Sequence, residues 1–173
     1  MEPLVRKAHE FAEKAHAGVF RKFTGEPYFE HPKRVAARMA ALGFPATVVA
    51  AAVLHDVVED CGVKPAELAA AFGPEVAALV LEVTKPVMCK ASTTRAERKA
   101  AFRAHLAKSS YFGASIKLGD EADNTSNVAE VSPEFAAVCL PELREELKVL
   151  GHGHPELLAT VAENISKFFA RPY

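Results

Sequence analysis

The amino-acid sequence predicts an all-α fold, a single helical bundle of about eight or nine helices. Alanine is abundant, runs of β-branched residues are few, and no segment sustains the apolar–polar alternation that is typical of a strand. Glycine and proline recur between segments of helical periodicity, where they end one helix and allow the next to begin. The 173 residues are enough to bury a core and show no linker or internal repeat, so we predict one domain over residues 1–173.

The predicted helices follow one another with short breaks. The first half of the chain should hold five helices, at about 3–17, 32–42, 46–60, 65–72 and 74–84. A polar loop separates the first two, and Pro32 is expected at the first position of the second. In the second half, a loop at 85–94 should precede helices at about 95–108, 114–131, 133–150 and 155–169.

Charge and hydropathy narrow the classes of function. Half of the residues are hydrophobic and the formal net charge is −1, which excludes a disordered chain and gives no reason to expect a nucleic-acid partner. Residues 85–108 hold seven basic residues against one acid, which we interpret as a solvated helix face rather than a phosphate site. No apolar run could span a bilayer and the first residues do not form a signal peptide, so no membrane partner is expected.

The cysteine content indicates a reducing compartment. The three cysteines, Cys61, Cys89 and Cys139, form neither a CxxC pair nor a disulfide pattern. None of them has metal-ligand spacing, and we interpret all three as buried or incidental thiols. We therefore expect a cytoplasmic protein, and we leave open whether it is a homo-oligomer.

Four residues have the side chains of a metal site. His55 and Asp56 follow the apolar helical run that ends at Leu54, His31 lies upstream, and Asp120 lies in a second polar string. Taken alone, a His-Asp pair usually lies on the surface, and Asp120 would usually form a salt bridge with a neighbour one turn away. Together they form a mixed imidazole and carboxylate set, which suits Mn²⁺, Fe²⁺ or Zn²⁺ better than Ca²⁺.

Two further carboxylates suggest what such a metal would be used for. Glu59 lies one helical turn beyond His55, and Asp60 lies one turn beyond Asp56. A carboxylate beside a metal can orient a water molecule and take its proton, while the metal binds a phosphate oxygen. The sequence therefore predicts a metal-dependent phosphohydrolase in which Glu59 and Asp60 are catalytic.

These strings resemble the HD-domain superfamily and, within it, the hydrolase domain of RelA/SpoT-type alarmone enzymes and their single-domain relatives. The His-Asp pattern is shared by many phosphohydrolases, whereas the loop before His31 and the Glu-Asp pair after His-Asp are more specific to the alarmone group. The matching blocks are residues 15–18, 21–28, 31–32, 54–60, 72–76, 83–85 and 117–120, together with Asn124.

The resemblance implies a reaction and a role for each site residue. Members of this group remove pyrophosphate from the 3′ position of (p)ppGpp, which leaves GDP or GTP, so the implied partner is a small nucleotide. The implied Mn²⁺ ligands are His31, His55, Asp56 and Asp120, with Glu59 and Asp60 acting on the attacking water. The implied substrate contacts are Arg21, Lys22, Tyr28 and Asn124, although Tyr28 could simply pack beneath the site.

Two alternatives to the alarmone hydrolase stay open at this point. One is a phosphohydrolase for another nucleotide, such as a 3′-phosphorylated dinucleotide or a deoxynucleotide. The chain departs from the family pattern at Cys61, Asp123, Ser126 and Asn127, which leaves room for a different substrate. The other is a non-catalytic module that binds alarmone, which would have no need of the Glu59–Asp60 pair.

Overall fold

All regular secondary structure in the described residues is α-helical. The structure is a computed structural model, and it describes residues 1–86 and 94–170. Within these ranges, nine helices have eight or more residues and two are single turns, and the β-structure is limited to an isolated bridge between Phe20 and Pro27. The all-α prediction is confirmed. No described helix is both long and apolar enough to cross a membrane.

The chain divides into two compact units, Met1–Thr84 and Lys85–Tyr173. The first unit is built around α3, whose side chains are apolar on all sides and buried from Val48 to Leu54. Helices α1, α2 and α6 pack against α3, which is how a helix with no polar face is kept from water. The helices of this unit are α1 (Pro3–Ala15), α2 (Glu30–Ala41), α3 (Ala46–Leu54), α4 (Val57–Asp60), α5 (Pro65–Phe72) and α6 (Pro74–Val83).

In the second unit α8 is the most buried helix, and α11 packs against it. Helix α7 begins with a capping box, in which Thr94 and Glu97 satisfy each other's backbone N–H groups. The helices are α7 (Arg95–Leu106), α8 (Tyr111–Thr125), α9 (Val128–Val131), α10 (Pro133–Leu147) and α11 (Pro155–Phe169). Most of the predicted loop at 85–94 lies outside the described residues, as does Cys89, and the prediction of one domain over 1–173 stays a prediction.

Several helix boundaries differ from the sequence prediction by one to three residues, and three differences concern the helices that carry the candidate site. Helix α2 begins at Glu30, which places Pro32 at its third position; the first four N–H groups of a helix have no intrahelical partner, so proline is tolerated there. The helix predicted over 46–60 is broken between Leu54 and Val57. The helix predicted over 114–131 ends at Thr125, where the Ser126 hydroxyl donates to the Asp123 carbonyl and competes with the backbone.

A close approach fixes the turn before α11 against α8. A Cβ atom added to Gly153 would lie 2.7 Å from Leu118 Cδ1 and 3.1 Å from the Ala114 carbonyl carbon. The Leu118 side chain can move, but the backbone of a buried helix cannot move without disturbing its packing. Glycine is therefore required at this position for α8, the helix that carries Asp120, to keep its place.

We expect Gly153→Ala to lower the free energy of unfolding by about 1–3 kcal/mol, the usual cost of overpacking a close-packed interior. Urea denaturation followed by circular dichroism measures this loss. Gly151→Ala is the matched control, because a Cβ atom there meets nothing within 4 Å. Equal losses in the two variants would show that the contact with α8 does not constrain the turn.

Candidate metal centre

Three of the predicted ligands meet in the first unit. One ligand atom each from His31, His55 and Asp56 lies within 4.8 Å of the other two. The Oδ2 atom of Asp56 lies 3.0 Å from His55 Nε2 and 3.7 Å from His31 Nε2. Both imidazoles are buried, while the Asp56 side chain keeps 19% of its surface exposed. This group of side chains is thus open to solvent on the carboxylate side.

The break after α3 brings the adjacent His55 and Asp56 to one point. Neighbouring residues in a continuous helix project about 100° apart, which separates their side chains. Here α3 ends at Leu54, His55 is its C-terminal cap, and Asp56 is the residue before α4. His31 is the second residue of α2, which packs against α3. The prediction of one continuous helix over 46–60 is wrong at residues 55 and 56, where the interruption lets both side chains reach the site.

The tautomer of His55 is fixed by the backbone. Its Nδ1 atom lies 2.8 Å from the Ala52 carbonyl oxygen, so Nδ1–H donates there and Nε2 carries the lone pair. A lone pair facing the Asp56 carboxylate at 3.0 Å is unfavourable by itself, and a cation bound by both atoms would remove this repulsion. A backbone acceptor on the far nitrogen is also the usual partner of a metal-ligating histidine. The His31–His55–Asp56 group therefore fits a divalent cation.

Tyr28 supports the Asp56 carboxylate. Its hydroxyl donates to Asp56 Oδ2 at 2.8 Å, and its ring stacks on His16, with centroids 4.8 Å apart and an interplanar angle of 28°. Burial and the nearby carboxylates of Asp56 and Asp60 raise the pKa of Tyr28, so the hydroxyl remains a donor. The sequence marked Tyr28 as a substrate contact or packing residue, and its bond to a residue 28 positions away has no signal in periodicity.

His16 lies beside the site, although the sequence did not assign it a site role. It is the C-terminal cap of α1 and is buried, and its Nδ1 atom lies 3.2 Å from Cys61 Sγ. Burial lowers the pKa of His16, so the ring is neutral at pH 7. Burial and the carboxylates of Asp60 and Asp56 raise the pKa of the Cys61 thiol, so the sulfur is protonated there.

The two predicted catalytic carboxylates lie on the short helix α4. Glu59 is half-buried and Asp60 is exposed. The charge of Asp60 raises the pKa of both Tyr28 and Cys61, so Asp60 lies near the tyrosine that contacts Asp56. In the described residues neither carboxylate belongs to the three-membered ligand group. Their role as water-activating groups stays a prediction.

Arg21 and Lys22 lie in the turn that follows the isolated antiparallel bridge between Phe20 and Pro27. Beside the Phe20–Pro27 bridge, the Arg21 N–H donates to the Glu26 carbonyl at 2.9 Å and the Tyr28 N–H donates to the Val19 carbonyl at 2.9 Å. Side chains alternate between the faces of such a ribbon, so Arg21 shares a face with Tyr28.

Two further contacts describe the rest of this turn. Glu26 accepts two hydrogen bonds from the Arg34 guanidinium, at 2.8 and 3.0 Å, and these fix the turn to α2. The Lys22 ammonium lies 5.3 Å from the centre of the exposed Phe23 ring.

Asp120 and Asn124 belong to the second unit. The Asn124 carboxamide donates to Asp120 Oδ1 at 2.6 Å, and the Lys117 ammonium lies 2.7 Å from Asp120 Oδ2 and 2.5 Å from Glu121 Oε1. Although burial opposes its charge, the carboxylates of Asp120 and Glu121 raise the pKa of Lys117, so the ion pair is maintained. Asp120 thus forms a salt bridge one turn away, with Lys117, and Asn124 positions the Asp120 carboxylate. The role of Asp120 as a fourth metal ligand stays a prediction.

Comparison with known families and structures identifies proteins that this chain resembles. The model of the HD domain family matches residues 8–110, which include all three clustered ligands. A solved structure described as a metazoan ortholog of SpoT that hydrolyzes ppGpp superposes with a TM-score of 0.86 at 26% identity, and 96% of each chain is covered. A Listeria monocytogenes protein superposes with a TM-score of 0.70 at 27% identity over 87% of this chain and 100% of that one.

Curated relatives carry related names. A probable guanosine-3′,5′-bis(diphosphate) 3′-pyrophosphohydrolase of Mycoplasma pneumoniae is 32% identical over 95% of this chain. Similarly named proteins of Aquifex aeolicus and Synechocystis are 42% and 38% identical over 54% and 76% of the chain. The matches span 22%, 13% and 17% of these three relatives, so the chain corresponds to about a fifth or less of their length.

Proposed function

Because the chain belongs to the HD domain family, we propose that it is a metal-dependent (p)ppGpp 3′-pyrophosphohydrolase of the cytoplasm. The observation that carries the proposal is the His31–His55–Asp56 group, whose ligand atoms lie within 4.8 Å of one another. The fold shared with a protein described as hydrolyzing ppGpp, and the names of the curated relatives, support this substrate. The proposed partner is thus a small nucleotide.

The proposed ligands are His31, His55 and Asp56, with Asp120 as the fourth. Two imidazole nitrogens and two carboxylate oxygens suit Mn²⁺, with Fe²⁺ and Zn²⁺ as alternatives. The cation would supply charge that neutralises phosphate oxygens and makes water a stronger acid. In the protein itself, the Ala52 carbonyl fixes His55, the Tyr28 hydroxyl fixes Asp56, and Asn124 fixes Asp120.

Glu59 and Asp60 are the proposed acceptors of the proton from the attacking water. The water oxygen forms a bond to the phosphorus joined to the ribose 3′ oxygen, and the bond between that oxygen and phosphorus breaks. Pyrophosphate leaves, and the 3′ oxygen takes up a proton to become a hydroxyl. A carboxylate that accepts a proton in this step contributes roughly 10²–10⁴-fold to the rate.

Arg21 and Lys22 are the proposed contacts of the nucleotide. Arg21 shares a face of the 19–28 turn with Tyr28, whose hydroxyl contacts the ligand Asp56. A planar guanidinium can stack on a purine base, whereas the exposed Lys22 ammonium suits a phosphate as a point charge. Arg21 would therefore hold the base and Lys22 the phosphates.

Replacing Arg21 with alanine should raise KM about tenfold and change kcat less than threefold, because an interaction made equally in the ground and transition states is lost. Steady-state kinetics with ppGpp measures both constants. Arg6→Ala, an exposed arginine on α1 of the same unit, is the control for loss of surface charge. A fall in kcat at unchanged KM would show that Arg21 acts on the reacting phosphate and not on the base.

A nucleotide panel tests the proposed function as a whole. The protein is incubated with Mn²⁺ and, separately, ppGpp, pppGpp, a 3′-phosphorylated dinucleotide and a deoxynucleoside triphosphate. We expect pyrophosphate from the first two alone. Release of orthophosphate from a 3′-phosphomonoester, with ppGpp untouched, would show that the substrate is a different nucleotide. The departures from the family pattern at Ser126 and Asn127 would then be the first candidates for the cause. Binding of ppGpp without any product would make the chain an alarmone-binding module.

A further inference from the structure

The Asp56 carboxylate needs a partner that selects its orientation. Its side chain is 19% exposed, so no close-packed wall surrounds it. Its Oδ2 atom must still face His55 Nε2 at 3.0 Å and His31 Nε2 at 3.7 Å for the three ligands to meet. A carboxylate on the short junction between α3 and α4 can rotate away from this arrangement. A contact made to Oδ2 itself opposes this rotation.

Tyr28 makes that contact with a side chain that has little freedom. Its hydroxyl donates to Asp56 Oδ2 at 2.8 Å. Its ring stacks on His16 and meets the His31 ring edge-on, with centroids 5.9 Å apart and planes at 80°. One aromatic residue therefore touches both a carboxylate ligand and an imidazole ligand. A rigid aromatic side chain loses little rotamer entropy in such a role.

His16 in turn fixes the Tyr28 ring. It is 2% exposed and stacks on Tyr28 at 4.8 Å, and the Cys61 sulfur lies 3.2 Å from its Nδ1 atom. Three side chains from α1, the 19–28 turn and the residue after α4 thus form a continuous support that ends on Asp56.

We propose that Tyr28 and His16 are positioning residues that hold Asp56 in its metal-ligating orientation. The inference rests on the proposed function in that Asp56 is taken as a ligand. Outer partners of metal ligands commonly account for 10–100-fold in metal affinity.

The test is isothermal titration calorimetry of the full chain with Mn²⁺ alone. Tyr28→Phe removes one oxygen and keeps the ring, so we expect the Kd for Mn²⁺ to rise roughly tenfold or more. His16→Ala should weaken binding to a similar degree, whereas His16→Phe, which keeps an aromatic ring for the stack, should stay within about threefold of the wild type. Tyr111→Phe, an exposed tyrosine of the second unit, is the matched control.

Two readouts separate positioning from general stability. Melting temperatures in chelator show whether each variant folds as the wild type does, and steady-state kinetics on ppGpp shows whether kcat falls while KM is kept. A folded Tyr28→Phe protein with wild-type Kd would overturn the inference and leave the proposed function standing. Should that variant fail to fold, equal weakening in His16→Phe and His16→Ala would overturn it. A wild type that bound no divalent cation would overturn both.

Discussion

His55→Ala is expected to abolish binding of the divalent cation and to reduce turnover of ppGpp by roughly a thousandfold or more. The cation would stabilise the charge of the transition state by several kcal/mol, which corresponds to a rate factor of about a thousand. His55 Nε2 lies 3.0 Å from Asp56 Oδ2, and its far nitrogen is fixed by the Ala52 carbonyl, so the substitution removes an oriented ligand atom from the group. Elemental analysis and a turnover assay on one preparation measure both effects.

His152→Ala is the control for this variant. His152 is exposed and lies in the second unit, where its Nε2 atom is 2.9 Å from the Ser109 carbonyl oxygen. We expect this variant to keep the metal content and the turnover of the wild type. If His55→Ala retained full metal stoichiometry, the assignment of the ligand group would be wrong, whatever happened to activity.

Glu59→Gln should keep the metal and lose turnover by roughly a hundredfold or more, the scale of a missing general base. The amide has the shape of the carboxylate but cannot take a proton from water at neutral pH. Because Glu59 lies on α4 outside the ligand group, the metal content should not change. Single-turnover kinetics together with elemental analysis separates the two quantities.

Glu67→Gln, on an exposed face of α5, is the control for removal of a negative charge from the same unit. It should leave kcat within about twofold of the wild type, as most surface substitutions do. Unchanged turnover in Glu59→Gln would mean that the proton passes to Asp60, to Asp120 or to bulk water. Loss of metal in the same variant would instead place Glu59 among the ligands.

The sequence predicted the helical fold because its signals are local. Proline at the start of α5, α6, α10 and α11 is visible without any tertiary information. The polar string after the apolar run of α3 was a similar signal, since carboxylates beside a buried helix need a cation or a partner. The Lys117–Asp120 pair could be anticipated for the same reason, because residues three apart meet on a helix.

What the sequence could not supply was geometry set by distant contacts. The break between Leu54 and Val57 accompanies bonds from Tyr28 to Asp56 and from His55 to Ala52, and helical periodicity carries no trace of either. His16 lies 45 residues from Cys61, and no spacing in the sequence connects the two. Periodicity reports which face of a helix is buried, not which polar side chains meet there.

The most direct test of the metal-dependent pyrophosphohydrolase is the product balance of the wild-type protein on ppGpp. The protein is incubated with ppGpp and Mn²⁺, and again with ppGpp and excess chelator, and the products are separated by anion-exchange chromatography. We predict GDP and pyrophosphate in equal amounts with Mn²⁺, and neither product with chelator. Orthophosphate as the main product, or undiminished turnover in chelator, would contradict the account.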